Sequence, residues 1–185
     1  MNFHCVNWEE RDVKGPVIVL LAGAALVGCA APQAPTLPTF EVSVALDQEE
    51  ASRLVKEGAN TVRGNAFMRQ QGGGVVTCAS QTVHLVLATA YAKQRMLALY
   101  GNTERGVTAA RMSYKFIPDP PEYYALVRTT KCDSKGNFVF GRVSDGEFFI
   151  AVLVTWRVGD SPQGGQLMHR VSVRNRQTLS VVMAP

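Results

Sequence analysis

Runs of basic residues, apolar segments long enough to cross a membrane and cysteines at metal-ligand spacing are all missing from this sequence. The longest uncharged apolar stretch, Pro16 to Val27, has twelve residues. A helix needs about 20 to cross a hydrocarbon core roughly 30 Å thick, so this stretch does not span a bilayer. No two of the 19 Lys and Arg residues are adjacent. A basic stripe that could track a nucleic-acid backbone is therefore absent, and nucleic acid is not expected as a partner. No Cys-x-x-Cys occurs and the three histidines, His4, His84 and His169, are far apart, so neither a metal site nor a cofactor is expected. The Gly-x-Ser-x-Gly, His-Glu-x-x-His and P-loop patterns are missing too. Gly72-Gly73-Gly74 lacks a following Lys-Ser/Thr and reads as a hairpin turn. No catalytic residues are assigned, and a non-enzymatic protein is expected.

What is present suits one globular domain: 185 residues, 46% hydrophobic and 18% charged, enough for a real core. Twelve apolar residues are also the length of the apolar region of an export signal. Leu26-Val27-Gly28-Cys29, followed by Ala30-Ala31-Pro32, resembles the lipobox of bacterial lipoproteins. A buried N-terminal helix fits less well, because Gly23 and Gly28 weaken it and the prolines beyond cannot extend it. The resemblance implies a signal peptide over residues 1–28, cleavage before Cys29, and attachment of lipid, palmitate included, at Cys29. It implies a membrane partner reached through that lipid. Ala30 stands where an aspartate retains some lipoproteins at the inner membrane, which favours the periplasmic face of the outer membrane. The segment before Lys14 carries Glu9, Glu10 and Asp12 against Arg11, whereas a signal should open basic. Translation from Val13 through an alternative start codon would restore that pattern.

From Cys29 onward 17 basic and 12 acidic side chains remain, a formal charge of +5, read as solvated surface. Cys78 and Cys132 are the two cysteines left for the folded part. In an oxidising compartment they suggest one disulfide, which by closing a 54-residue loop contributes roughly 4 kcal/mol in the chain-entropy model. The alternative is two separate buried thiols.

Residues 29–40, rich in proline and uncharged, read as a tether, and residues 41–185 as the domain. Asp47 as N-cap, Glu50 three residues on, Ala51, Leu54 and Val55 at helical spacing and Gly58 as a stop predict a short helix over 48–57. The period then changes to two. Val83, Leu85 and Leu87 share one strand face, with His84 on the other as a half-exposed strand residue. Asp133-Ser134-Lys135-Gly136 and Ser144-Asp145-Gly146 make turns around a strand carrying Phe138 and Phe140. Residues 147–158 are apolar on both faces: Phe148, Ile150, Val152, Val154 and Trp156 against Phe149, Ala151 and Leu153. That strand should be central. Residues 160–165 read as a loop, and 167–173 and 178–183 as two last strands joined near Asn175. Residues 92–122 show the least regular pattern and read as an insertion, with a helical turn or two over 93–100 and an extended Phe116 to Pro121 segment.

The run Lys131 to Phe149, K-C-D-S-K-G-N-F-V-F-G-R-V-S-D-G-E-F-F, resembles the signature of carboxypeptidase regulatory-like, transthyretin-type domains. With Thr61 to Phe67 and Val83-His84-Leu85 the likeness covers roughly residues 61–183. It implies a mainly β protein, an antiparallel β-sandwich with one short N-terminal helix and the irregular insertion. It also implies an accessory module without catalytic residues. The function expected is a structural or protein-interaction module among other envelope proteins, with Pro118, Pro120, Pro121, Tyr123 and Tyr124 as the partner-contact loop. The alternative is a carbohydrate- or peptidoglycan-binding lipoprotein, for which Tyr91, Tyr100, Tyr114, Tyr123 and Tyr124 are the candidate rings.

Overall fold

Three hydrogen bonds made by Asn60 hold one end of the molecule together. Its buried amide donates to the Val143 carbonyl at 2.9 Å and to Asp145 at 2.8 Å, and its carbonyl accepts from the Gln177 backbone at 2.8 Å. The computed structural model in which these contacts occur describes residues 37–185 except Arg111. Cys29, the expected signal peptide, the Val13 start and most of the expected tether lie outside the described residues.

The described chain is mainly β and sandwich-like. Strand β1 (Thr39–Glu41) begins inside the expected tether and leads to helix α1 (Gln48–Leu54). Asp47 caps α1 through its carboxylate, which accepts the backbone N–H groups of Glu49 and Glu50. Then come β2 (Asn60–Arg69), β3 (Val75–Thr77), β4 (Thr82–Leu87), α2 (Ala90–Tyr100), β5 (Arg105–Ala109), β6 (Lys115–Ile117) and α3 (Pro121–Ala125). The chain ends with β7 (Arg128–Lys131), β8 (Asn137–Val143), β9 (Gly146–Val158), β10 (Ser161–Val173) and β11 (Thr178–Met183). One sheet runs β5-β10-β9-β4-β7. The other is built on β2, flanked by β11, β8 and β3, and β1 pairs with β6 apart from both.

Strand β9 is central, as its two apolar faces predict. Phe148, Ile150, Val152 and Val154 enter the core between the sheets, where they meet Val62, Phe138, Phe140 and Leu167. On the opposite face Phe149 joins Val86 and Met168 beneath α2 and β6. The Cys78–Cys132 disulfide is formed and buried in the inter-sheet core. At the 133–136 turn the Asp133 carboxylate accepts the Lys135 and Asn137 N–H groups. Gly136 takes φ +80° there, a conformation glycine adopts without strain.

Three readings of the sequence change. The insertion expected over 92–122 is ordered structure, α2, β5, β6 and the start of α3; with α1 there are three helices among the described residues, and β5 joins the five-stranded sheet. Helix α2 starts on the Thr89 side chain, which accepts the Ala92 N–H, and stops at Gly101 in the left-handed region. Its buried face, Tyr91, Ala92, Arg95 and Met96, has helical spacing, but the cation at 95 breaks the apolar stripe that periodicity looks for. The loop expected over 160–165 shrinks to the two residues Gly159-Asp160, and β10 begins at once, Ser161 opposite Val158. Pro162 is tolerated because β5 reaches only to Gly165, so that stretch of β10 is an edge. The pairing is also not wholly antiparallel: β11 crosses to the other sheet and runs parallel to β2, and β1 runs parallel to β6. The crossing follows Asn175 and Arg176, both at positive φ.

Candidate functional sites

Two concave regions gather side chains with chemistry, one on each side of the five-stranded sheet. The first is an open cleft of about 600 Å³ at an end of the sandwich, between the β2–β3 hairpin and the β9–β10 hairpin. The β2–β3 turn is closed by Gln70 N–H to the Gly74 carbonyl at 2.8 Å and Gly73 N–H to Gln70 at 2.9 Å, as the glycine run predicts. This turn presents Arg69, Gln70 and Gln71. Across the cleft stands Trp156, partly packed on the core, with Gln163 opposite it in register on β10. The Gln163 amide donates to Ser161 at 3.3 Å. The side chains of Arg69, Gln70 and Gln71 have no hydrogen bond or ion pair among the described residues. Gly164 shapes the wall: φ is +104°, and an added Cβ would stand 2.1 Å from the Val154 carbonyl oxygen. A flat indole, three carboxamides and one free guanidinium therefore face open solvent together.

The second region is a hollow of about 360 Å³ on the outer face of the sheet. Thr129, His84 and Ala151 lie in register across β7, β4 and β9 and form its floor. Met96, Leu99 and Tyr100 of α2 and Tyr123 and Tyr124 of α3 rise above it. Burial pulls the His84 imidazole below its usual pKa of 6.5, since a charged ring there would lose water. Burial likewise pushes Tyr123 up to about 12 and raises Tyr100, so these groups are neutral at pH 7.

Arg95 fixes the roof of this hollow. Its guanidinium carbon lies 3.9 Å from the Phe116 ring centroid and 4.4 Å from that of Tyr123, a cation–π arrangement. It pairs with Asp119 and donates to Tyr91 at 3.2 Å and Tyr124 at 3.1 Å. Burial opposes its charge, yet the hydrogen bonds with Tyr91, Asp119 and Tyr124 outweigh that and hold it more firmly protonated than usual. The Tyr124 hydroxyl in turn donates to Asp119 at 2.8 Å, and that of Tyr91 donates to the Pro118 carbonyl at 2.7 Å.

The residues expected to form a partner-contact loop are thus brought together, in different roles. Pro118 lends its carbonyl to Tyr91, Pro120 precedes α3 and Pro121 opens it. Tyr123 is buried, and Tyr124 is 53% exposed. Of the five candidate rings, Tyr100, Tyr123 and Tyr124 line the hollow, Tyr91 is fully buried, and Tyr114 packs against Phe116. Sequence reasoning missed Arg95 and the group around Trp156. Trp156 was assigned to the core face, and the signal that it stands at an open end is the pair of hairpin turns, at 70–74 and 159–160, on either side. Among the described residues no group of three His, Cys, Asp or Glu could hold a metal, and no helix is long and apolar enough to cross a membrane.

Fold and surface together define a small β-sandwich with a shaped cleft and a shaped hollow. No family model matches the chain, and no curated protein matches it in sequence. The chain is similar in structure to a Pseudomonas aeruginosa protein provisionally described as carbohydrate-binding. The TM-score is 0.61 at 22% identity, over 81% of this chain and 100% of that one. At that identity the likeness bears on the fold.

Proposed function

We propose that this protein is a non-enzymatic carbohydrate-binding module of the bacterial cell envelope, held at the membrane through lipid on Cys29, with the Trp156 cleft as its binding site. The observation that carries the proposal is the half-buried Trp156 indole on the wall of an open cleft, with Gln70, Gln71, Gln163 and Arg69 around it. A sugar ring offers an apolar C–H face and a rim of hydroxyls. The indole covers the first; the carboxamides donate to and accept from the second, and the guanidinium donates to it. The structural neighbour's description supports the same reading, as does the carboxypeptidase regulatory-like signature, which implies a module without catalytic residues. The test is titration of the protein with soluble chito- and cello-oligosaccharides and peptidoglycan fragments, followed by tryptophan emission. Saturable shifts, with binding heat in a calorimeter that Trp156→Ala abolishes, support the proposal, and silence across all of them contradicts it.

A second reading, a module that braces other envelope proteins, has one observation in its favour. The 118–124 segment is pinned by Arg95 while Tyr124 and Ile117 stay exposed, so a partner would meet an already ordered loop. Crosslinking in native membranes through a photoreactive group at residue 124 tests it: a discrete crosslinked partner supports this reading, and recovery of the protein alone counts against it.

A further inference from the structure

The hollow on the outer sheet face has a feature that core packing does not explain. Its depth comes from Ala151. On this face of the central strand the neighbours of Ala151 are Phe149 and Leu153, and a side chain of their size at 151 would occupy the space that now lies open. Around that space several polar groups have no protein partner. The hydroxyls of Tyr100 and Tyr123, the His84 ring and the Gln166 amide line the hollow and make no hydrogen bond among the described residues. None of them is sealed from solvent. Buried or half-buried polar groups are nearly always paired, and a concave apolar site with a few converging unpaired polar groups has the construction of a small-molecule pocket.

We propose that this hollow is a second binding site, distinct from the Trp156 cleft, and that it takes a small uncharged aromatic molecule bearing a hydroxyl or amide. The class follows from the walls. The Tyr100, Tyr123 and Tyr124 rings offer edges and faces to a planar ring, while Leu99, Val86 and Val127 supply aliphatic contact. A volume of about 360 Å³ suits a ligand of one or two fused rings, near the lower end of the range for such pockets. An ionic ligand would find no counter-charge, because Arg95 and Asp119 already satisfy each other. The ligand's polar group would meet the unpaired groups of His84, Gln166 or the tyrosines.

The test is methyl and backbone NMR of the full-length protein titrated with phenol and with indole. Saturable shifts centred on Ala151, Thr129 and Met96 are expected. Ala151→Leu, which fills the space, should weaken binding at least about tenfold, and Trp156→Ala should leave it unchanged. Because Ala151→Leu could disturb packing under α2, His84→Leu serves as an independent variant that removes a polar group and keeps the volume. It should weaken binding of these hydroxyl- or N–H-bearing probes relative to toluene. No saturable shift from either probe at millimolar concentration would overturn the proposal. So would shifts that persist in both variants, or binding of decanoate where the neutral aromatics fail.

Discussion

Arg95 and Asp119 form an ion pair in which the arginine side chain is 8% exposed and the carboxylate 37%. The two residues belong to different elements, α2 and the segment before α3, and Tyr124 closes the group by bonding to both. This group pins the proline- and tyrosine-rich 118–124 stretch against α2. Removing the cation leaves the Asp119 carboxylate without its counter-charge and opens a space between four rings. Arg95→Ala should therefore cost roughly 3 kcal/mol in a urea titration, within the range for breaking a buried pair. Asp119→Asn should cost less, because its partner's rings and hydroxyl contacts remain. Equal and small losses would show that the pair contributes little.

The disulfide sits inside the inter-sheet core and closes a 54-residue loop. Replacing both Cys78 and Cys132 by alanine should lower stability by roughly 4 kcal/mol, a loss that thermal unfolding with and without reductant reads directly. Reductant should shift the midpoint of the parent protein and leave the double variant unmoved.

Stability should fall on acidification through the histidines. Burial keeps the folded-state pKa of His84 below 6.5, and burial with repulsion from Arg105 does the same for His169. Between the depressed and the ordinary value the unfolded chain binds more protons. The stabilisation is thus complete above 6.5 and is lost as pH falls through the folded-state value. His84→Gln should flatten the slope of stability against pH between about 7 and 5, measured by urea midpoints at several pH values. An unchanged slope would place the effect elsewhere.

Gly164 combines φ +104° with a carbonyl oxygen 2.1 Å from where a Cβ would be. Gly164→Ala should destabilise by roughly 2 kcal/mol or more and distort the cleft beside Gln163. Gly72→Ala, where a Cβ would meet nothing within 4 Å, should leave both stability and the cleft nearly unchanged.

Much of the β framework was legible because it obeys period two. Residues 148–154 are apolar on both faces, which placed that strand at the centre of its sheet. The Asp133-to-Gly136 turn and the cysteine pair were readable because turn chemistry and redox context are local properties. The covering layer itself was not legible, since α2 buries Arg95 in the middle of its face and its cap, Thr89, lies next to a strand. Pro162 and the Gly164-Gly165 pair read as a loop because composition does not reveal that β10 runs as an edge at Pro162 and meets β5 from Gly165 onward. The parallel crossing of β11 depends on which sheet receives it, a tertiary choice with no local mark beyond Asn175. The hollow was half visible: its tyrosines were candidates, but Ala151, whose small size creates the space, carries no signal until its neighbours are placed.

Trp156 is the sole tryptophan among the described residues, Trp8 being the other in the chain. The most direct measurement is therefore its emission in a chain with Trp8→Phe, during titration with oligosaccharides. The account predicts a saturable change with at least one soluble glycan, weakened about tenfold or more, some 1.4 kcal/mol, by Arg69→Ala combined with Gln163→Ala. An emission spectrum that stays constant with every glycan, in a protein whose disulfide and fold are intact, would contradict it.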